Sequence, residues 1–161
     1  MKKITYILAT TLIIAFISSC KTPKDILVPG DTHAVLMRVE TETITQANTD
    51  QTCNFGQKEG ESNEDYTIKV NVGDYVVWSG IDSGIVGNGQ VLIDSIKYVS
   101  GTNFFGTNTI TSNGQGRVIG VIASGSEEQE SKYSIYFRVF NNGIERNGTF
   151  IIDPKIRIKR R

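Results

Sequence analysis

Alternation of apolar and polar residues with a period of two is the feature that most restricts how this chain can fold. Between positions 132 and 140, every second residue is large and apolar: Tyr133, Ile135, Phe137 and Val139. Such alternation is typical of a half-buried β-strand. Further runs rich in Val, Ile, Thr or aromatic residues are 34–44, 66–72, 75–78, 91–99, 117–123 and 149–159. The chain is therefore predicted to form about seven strands, and no stretch has a sustained helical period.

Turn-forming dipeptides separate most of these runs. They are Asn88-Gly89, Asn113-Gly114, Asn142-Gly143 and Asn147-Gly148. Asn-Gly tolerates the positive φ that a tight hairpin turn requires. Short strands divided by such turns predict an all-β domain, an antiparallel β-sandwich with Ig-like, cupredoxin-like or jelly-roll topology, over residues 32–161.

The first twenty residues have the pattern of an export signal. Lys2 and Lys3 precede an apolar, uncharged run over residues 4–17, which is shorter than the ~20 residues of a spanning helix. The run ends in Ile17-Ser18-Ser19-Cys20, which resembles the lipobox of bacterial lipoproteins. In that family the small residues admit the signal peptidase and the cysteine sulfur carries diacylglycerol. Residues 1–19 are thus predicted to be a signal peptide, Cys20 the lipidation site, and residues 20–31 an extended tether.

Lipidation implies a membrane partner. Each buried methylene contributes ~0.8 kcal/mol, and lipoproteins carry two or three acyl chains such as palmitate, so the anchor is expected to be permanent. Some envelope lipoproteins need an acidic cluster after the cysteine for surface display, whereas Lys21 and Lys24 are basic. We therefore expect the cell envelope, on the periplasmic face of the outer membrane, with surface display as the alternative.

Charge argues against a nucleic-acid partner. Without residues 1–19 the chain has 142 residues, with 15 basic against 17 acidic side chains, and lacks the basic surplus that binding phosphates requires. A basic cluster closes the chain: Lys155, Arg157, Lys159, Arg160 and Arg161. It is interpreted as the polar side of a last strand, and a patch for an acidic partner is the alternative. Pro154 is predicted to lie at a bulge or with its nitrogen facing away from any neighbouring strand, with Ile156 and Ile158 facing the core and the cations guarding a possible sheet edge.

The chain is poor in residues for metal or nucleophilic chemistry. Once Cys20 is lipidated, Cys53 is the only thiol, so no intramolecular disulfide forms; it is predicted to be a buried apolar residue rather than a reactive one. His33 is the only histidine and is expected to be solvated or hydrogen-bonded. The acidic run at 57–65 is interpreted as a solvated loop rather than a metal site. No catalytic, metal-binding or cofactor-binding residue is predicted.

Three segments resemble the PixA/AidA inclusion-body proteins in order and spacing. They are Val39-Glu40-Thr41-Glu42-Thr43-Ile44, Val70-Asn71-Val72-Gly73-Asp74-Tyr75-Val76-Val77-Trp78, and Phe150-Ile151-Ile152-Asp153-Pro154-Lys155-Ile156. The resemblance implies a β-sandwich over residues 31–160 and transfers no catalytic residue, because the family has no established reaction. The second segment also looks like the strand pair that opens many cupredoxins, but a blue-copper site needs two imidazoles and the chain has one.

The functional expectation is a membrane-anchored, non-enzymatic binding or structural domain whose partner is a protein or a glycan. Aromatic residues are predicted to fill the core rather than line a ligand groove: Trp78, Tyr75, Phe104, Phe105, Tyr133, Tyr136, Phe137 and Phe140. Of the adjacent pair Phe104 and Phe105, one is expected to be exposed or to cover a sheet edge. The alternative function is a periplasmic hydrolase that works through paired carboxylates.

Overall fold

A computed structural model describes residues 30–85 and 87–160. The predicted signal peptide, Cys20 and most of the predicted tether lie outside these residues. The elements in chain order are β1 (Thr32–Val39), α1 (Thr49–Thr52), β2 (Cys53–Asn54), β3 (Thr67–Val70), β4 (Tyr75–Asp82), β5 (Gly89–Gly101), β6 (Thr109–Thr111), β7 (Arg117–Val121), β8 (Glu130–Asn141), β9 (Ile144–Glu145), β10 (Phe150–Ile152) and β11 (Lys155–Ile158).

The strands form two sheets that cover one core. The four-stranded sheet has the order β2-β1-β4-β7, and the larger sheet has the order β3-β11-β8-β5-β6, with β9 and β10 also paired to β8. In the smaller sheet β1 runs parallel to β4 over eight register partners, and in the larger one β3 runs parallel to β11. The all-β sandwich predicted from the sequence is confirmed, but both sheets are mixed rather than purely antiparallel.

The core consists of the inward-facing residues of both sheets. Trp78 from β4 and Tyr133 from β8 meet at its centre, where the indole Nε1 donates to the Tyr133 hydroxyl at 3.1 Å. Their rings are edge-on, with centroids 5.6 Å apart. The hydrogen bond satisfies two buried polar groups that otherwise cost free energy. The core cluster runs from Val35 to Ile158, so a protein of residues 30–161 contains both sheets and the core between them.

Several strand boundaries differ from the sequence prediction. The run at 34–44 ends as a strand at Val39, because the next residues turn and Ile44 donates its amide to the Glu40 carbonyl at 3.1 Å. The run at 149–159 is two strands. One hairpin turn is as predicted: Asn142 and Gly143, between β8 and β9, have φ of 51° and 76°.

The prediction that Phe104 or Phe105 would be exposed is wrong, since both rings are buried. The prediction assumed an extended loop in which neighbouring side chains alternate. The segment is instead a turn, in which Asn103 Oδ1 accepts the Phe105 amide at 3.1 Å and Gly106 has a φ of 68°. In a turn, two adjacent side chains can point the same way.

The C-terminal strand confirms one prediction and corrects another. Ile156 and Ile158 are buried, as the alternation predicted. However, β11 lies between β3 and β8 and is not a sheet edge, so its cations guard no edge. Pro154 separates β10 from β11, and both strands pair with β8. Proline has no amide proton to donate to a ladder. It is tolerated between the two strands because no ladder hydrogen bond is needed at that position.

Candidate functional site

The outer surface of the four-stranded sheet is apolar. Ile119 is 55% exposed, Val121 is 44% exposed and Tyr75 is 38% exposed. Seven side chains form this surface, which we call the apolar face: Ala34, Leu36, Tyr75, Val77, Ile81, Ile119 and Val121. Scattered surface hydrophobic residues are ordinary, but a contiguous group of this kind is typical of an interaction site.

Strand register makes the apolar face continuous. Val77 is the register partner of Ala34 on one side and of Ile119 on the other, so the three form a row across the sheet. Tyr75 and Val121 are partners in the next row. Cross-strand partners on one face have Cβ atoms about 5 Å apart. These two rows are therefore apolar apart from Thr32, the partner of Tyr75, and Ser79 separates them from Ile81 along β4.

Two arginines stand at one end of this sheet. Arg117 is the partner of Ser79, and Arg38 is the partner of Ile81, so both point outward with the apolar face. No outward-facing residue of β1, β4 or β7 is acidic. Among the described residues, no carboxylate forms an ion pair with either guanidinium. The surface is therefore apolar at one end and cationic at the other.

A cleft of about 650 Å³ opens beside the cationic end, where β4 approaches β5. Leu36, Ile81 and Arg117 line it from the outer surface of the small sheet. The two strands approach closely at Gly80, since a Cβ there would lie 2.3 Å from Val91 Cγ1. The cleft thus extends the outer surface toward the second sheet.

The other end of the sheet is where the chain enters the domain. Asp74, which precedes β4, is buried and accepts the Asp31 amide through Oδ1 at 3.0 Å. Its Oδ2 accepts the Asn71 amide at 2.7 Å and lies 2.7 Å from His33 Nε2. These contacts hold the start of β1 against β4. They explain why an Asp follows Val72-Gly73 in the second of the three segments.

The charge of Asp74 is stabilised by its surroundings. Burial alone raises the pKa of a carboxyl group, but the hydrogen bonds from Asn71, His33 and Asp31 outweigh burial and lower the pKa of Asp74 below its usual range. His33 is hydrogen-bonded, as predicted. The His33–Asp74 pair is therefore a structural clamp at the entry to β1.

The only thiol in the described residues is inert. Cys53 is buried, as predicted, and burial raises its pKa to about 12. A thiol with so high a pKa is protonated at neutral pH, and the thiolate is the reactive form. Cys53 therefore contributes to packing.

The outer surface of the seven-stranded sheet carries charged side chains that pair within the domain, and the same sheet also exposes Val99, Ile144 and Ile151. Arg138 donates to both oxygens of Asp94, at 2.9 Å to each from two different nitrogens, and lies 3.8 Å from Glu145. Lys97 Nζ lies 4.0 Å from the centre of the Tyr136 ring. Further ion pairs on this surface and its margin are Lys132–Glu64, Lys155–Asp65 and Arg157–Glu130. We call this surface the ion-paired face.

Most of the aromatic residues fill the core, as predicted. Those that are buried are Trp78, Phe104, Phe105, Tyr133 and Phe137. Tyr75 lies on the apolar face, while Tyr136 and Phe140 are half-buried on the ion-paired face. The structure therefore does not gather the aromatic side chains into a groove.

The acidic loop and the basic C-terminus are each neutralised in part by ion pairs, and the Lys155–Asp65 pair joins the two. Glu64 and Asp65 of the loop pair with Lys132 and Lys155, and these contacts lower the pKa of Glu64 and contribute, after the Ser62 hydrogen bond, to lowering that of Asp65. Arg157 pairs with Glu130. The polar-side interpretation of the basic cluster agrees with these pairs. Arg161 lies outside the described residues.

Neighbouring carboxylates and clusters of metal-binding side chains are the features that a hydrolase or a metalloprotein needs. Asp94 and Glu145 are two carboxylates near one another, but both contact Arg138 on an open sheet surface rather than in a cleft. Within residues 30–85 and 87–160, no group of three or more His, Cys, Asp or Glu side chains is placed to hold a metal ion. None of the helices among these residues is long and apolar enough to cross a membrane.

The molecule is thus a mixed two-sheet β-sandwich with one apolar and one ion-paired outer face. No protein-family model matches the chain, and no curated protein matches it. Among solved structures it is similar to an inclusion body protein (PixA) from Burkholderia cenocepacia, with a TM-score of 0.56 and 14% sequence identity over 84% of this chain and 99% of that one. This likeness supports the PixA resemblance at the level of the fold.

The apolar face was not predicted from the sequence, although a signal was present. The strands that form it are apolar at consecutive positions, as in Tyr75-Val76-Val77-Trp78 and Val118-Ile119. Such runs are typical of strands buried on both sides. The pairing of β4 with β7 in the structure, together with the exposure of Ile119 and Val121, shows that one side of these strands is not covered.

Proposed function

We propose that this chain is a lipid-anchored protein of the cell envelope whose β-sandwich acts by non-covalent association rather than by catalysis. The observation that carries the proposal is the apolar face, a contiguous exposed surface built from three neighbouring strands. Leaving several large apolar side chains in water has a free-energy cost of about 25 cal/mol per Å² relative to burial. A partner that covers them recovers that free energy.

The anchor rests on the lipobox-like sequence Ile17-Ser18-Ser19-Cys20. We expect the full-length protein to enter the detergent phase on phase partitioning and to have the mass of a lipidated form. Cys20→Ala is expected to abolish both properties. Identical partitioning and mass of the two proteins would refute the anchor and leave the association role to be tested separately.

The non-catalytic role has two further supports. Carboxylates on the open sheet surface are engaged with arginine, which differs from the paired acids in a cleft that a glycoside hydrolase uses. The structurally similar protein is called an inclusion body protein, a name that describes an assembly rather than a reaction. Both supports favour association over the alternative of a hydrolase.

Cysteine accessibility in intact envelopes tests whether the apolar face is covered. Ile119→Cys places a thiol on the apolar face, and Thr109→Cys places one on the outer surface of the opposite sheet, where Thr109 is exposed. Cys53 does not compete because it is buried and has a pKa of about 12. We expect a membrane-impermeant maleimide to label position 109 at least tenfold faster than position 119. Equal rates in envelopes would refute a covered face, and equal rates in the detergent-extracted protein are the control.

A further inference from the structure

We infer that the occupant of the apolar face is a bilayer surface that carries anionic lipid headgroups. The inference deepens the proposed function and rests on it, because it names the partner of the same surface. It is supported by the charge of the surface, by the symmetry that a second copy would impose, and by the place where the chain enters the domain.

Charge complementarity selects an anionic occupant. Arg38 and Arg117 point outward beside the apolar face, no outward-facing residue of these strands is acidic, and no described carboxylate pairs with either arginine. Arginine can lay its apolar stem on a hydrophobic surface while its guanidinium contacts phosphate. A surface that joins apolar side chains to unpaired cations is complementary to the boundary between acyl chains and anionic headgroups.

A second copy of the chain is a poorer occupant. Two such sheets stacked by a two-fold axis along the strands would oppose the cationic end of one copy to that of the other. A two-fold axis across the strands would place Arg38 and Arg117 over the apolar rows of the partner copy. Both arrangements leave the guanidinium groups without an anion across the interface, because an isologous interface pairs this face with itself and the face has no acidic residue.

The entry of the chain places this surface near the predicted anchor. Asp74 fixes Asp31 at the end of the sheet that carries Tyr75 and Val121, so the apolar rows begin where the chain enters. Nine residues lie between Cys20 and Gly30, and the ten Cα-to-Cα steps from one to the other span at most about 35 Å. A tether of this length gives a high effective concentration of bilayer, so a weak contact becomes a stable one.

Vesicle binding by a protein of residues 30–161, which contains both sheets and the core, tests the inference without any acyl chain. The probes are phosphatidylcholine vesicles with and without phosphatidylglycerol, and the measurement is the fraction of protein that sediments with them. We expect binding only to the anionic vesicles, weakened by salt. The double variant Arg38→Gln/Arg117→Gln is expected to bind about 25-fold less tightly, since each cation near an anionic surface contributes about fivefold.

Two matched control variants test whether vesicle binding depends on the apolar face and its two arginines. Lys69→Gln/Lys97→Gln removes the same net charge from the ion-paired side, where both lysines are exposed, and is expected to leave binding unchanged. Ile119→Asn/Val121→Asn keeps the charge and removes apolar area, and is expected to reduce binding strongly. Thermal melts that match the parent show that each variant is folded.

Three results would overturn the inference: binding that does not depend on anionic lipid, equal losses from the two double-glutamine variants, and a dimer that Ile119→Asn/Val121→Asn dissociates while vesicles fail to bind. The last result would assign the face to a second copy. If position 119 is shielded in envelopes and vesicles still fail to bind, the association role stands and the lipid surface is refuted. If position 119 is not shielded, the proposed function itself is refuted.

Discussion

The two outer faces of this sandwich differ in how their side chains are satisfied. On the ion-paired face, charged groups find partners within the domain, as Arg138 does with Asp94 and Glu145. On the apolar face, Ile119 and Val121 remain exposed and Arg117 has no described acidic partner. Charged groups of one face are paired within the domain, whereas the other face leaves apolar side chains exposed and Arg117 without a described ion pair. This difference is the basis of the proposed association through the apolar face.

The largest expected effect comes from removing the strand that supports the ion-paired side. Truncation after Pro154 deletes Ile156 and Ile158, which are buried and contribute roughly 1.5 to 3 kcal/mol each. It also leaves β3 without its partner strand. Against a typical margin of ~5 to 15 kcal/mol, we expect loss of cooperative thermal unfolding by circular dichroism. Deletion of residues 160 and 161 alone is the control, and a truncated protein that melts like the parent would refute this account.

The second effect concerns the clamp at the entry to the apolar side. Asp74→Ala leaves the amides of Asp31 and Asn71 without their acceptor, and we expect a loss of about 3 kcal/mol in the free energy of unfolding. Denaturant titration measures it. A loss below about 0.5 kcal/mol would show that the clamp does not hold β1.

The clamp also predicts a pH dependence. Because the pKa of Asp74 is lowered in the folded protein, its contribution is fully present above the unfolded value of about 3.9 and is lost as the pH falls through the folded value. Asp74→Asn is therefore expected to be less stable than the parent at neutral pH, with a difference that shrinks below about pH 4. A difference that stays constant with pH would contradict the assignment.

A smaller effect compares one arginine from each face. Arg138→Gln breaks the pair with Asp94, but Arg138 is 39% exposed and the pair is screened by solvent, so we expect a loss of about 1 kcal/mol or less that shrinks in salt. Arg117→Gln is expected to change stability by less than about 0.5 kcal/mol, because it has no described ion pair. Urea unfolding at low and high salt distinguishes them. Equal losses of unfolding free energy in the two variants would show that the two arginines do not differ in ion pairing.

The smallest effect on stability is expected on the apolar face itself. Ile119→Thr/Val121→Thr alters exposed side chains and keeps β-branched residues in β7, so the melting temperature is expected to change little. Binding of the apolar dye ANS to the folded protein is expected to fall. Unchanged dye binding would show that the exposed apolar surface lies elsewhere.

How much the sequence could predict differs between fold and site. The period of two in β8 and the positive φ at Asn142 and Gly143 are local properties, so strands and a hairpin turn were predictable. The parallel pairing of β1 with β4 depends on contacts between distant segments, which no local pattern encodes. The apolar face was missed for a related reason. A continuous apolar strand is expected to be covered on both sides, and only the arrangement of the sheets shows which side is open.

The parallel pairing of β1 and β4 has a mechanical consequence for a chain that is held at its N-terminal end. Tension applied at Gly30 and directed along β1 would load the hydrogen bonds to β4 in shear, so that the bonds over all eight register partners resist together. An antiparallel hairpin pulled apart at its open end would instead lose its bonds one pair at a time. The Asp74 clamp lies where this tension enters the sheet. With the proposed anchor, the architecture favours a domain that stays folded under tension, a property that stretching single molecules from residue 30 would measure as a high unfolding force.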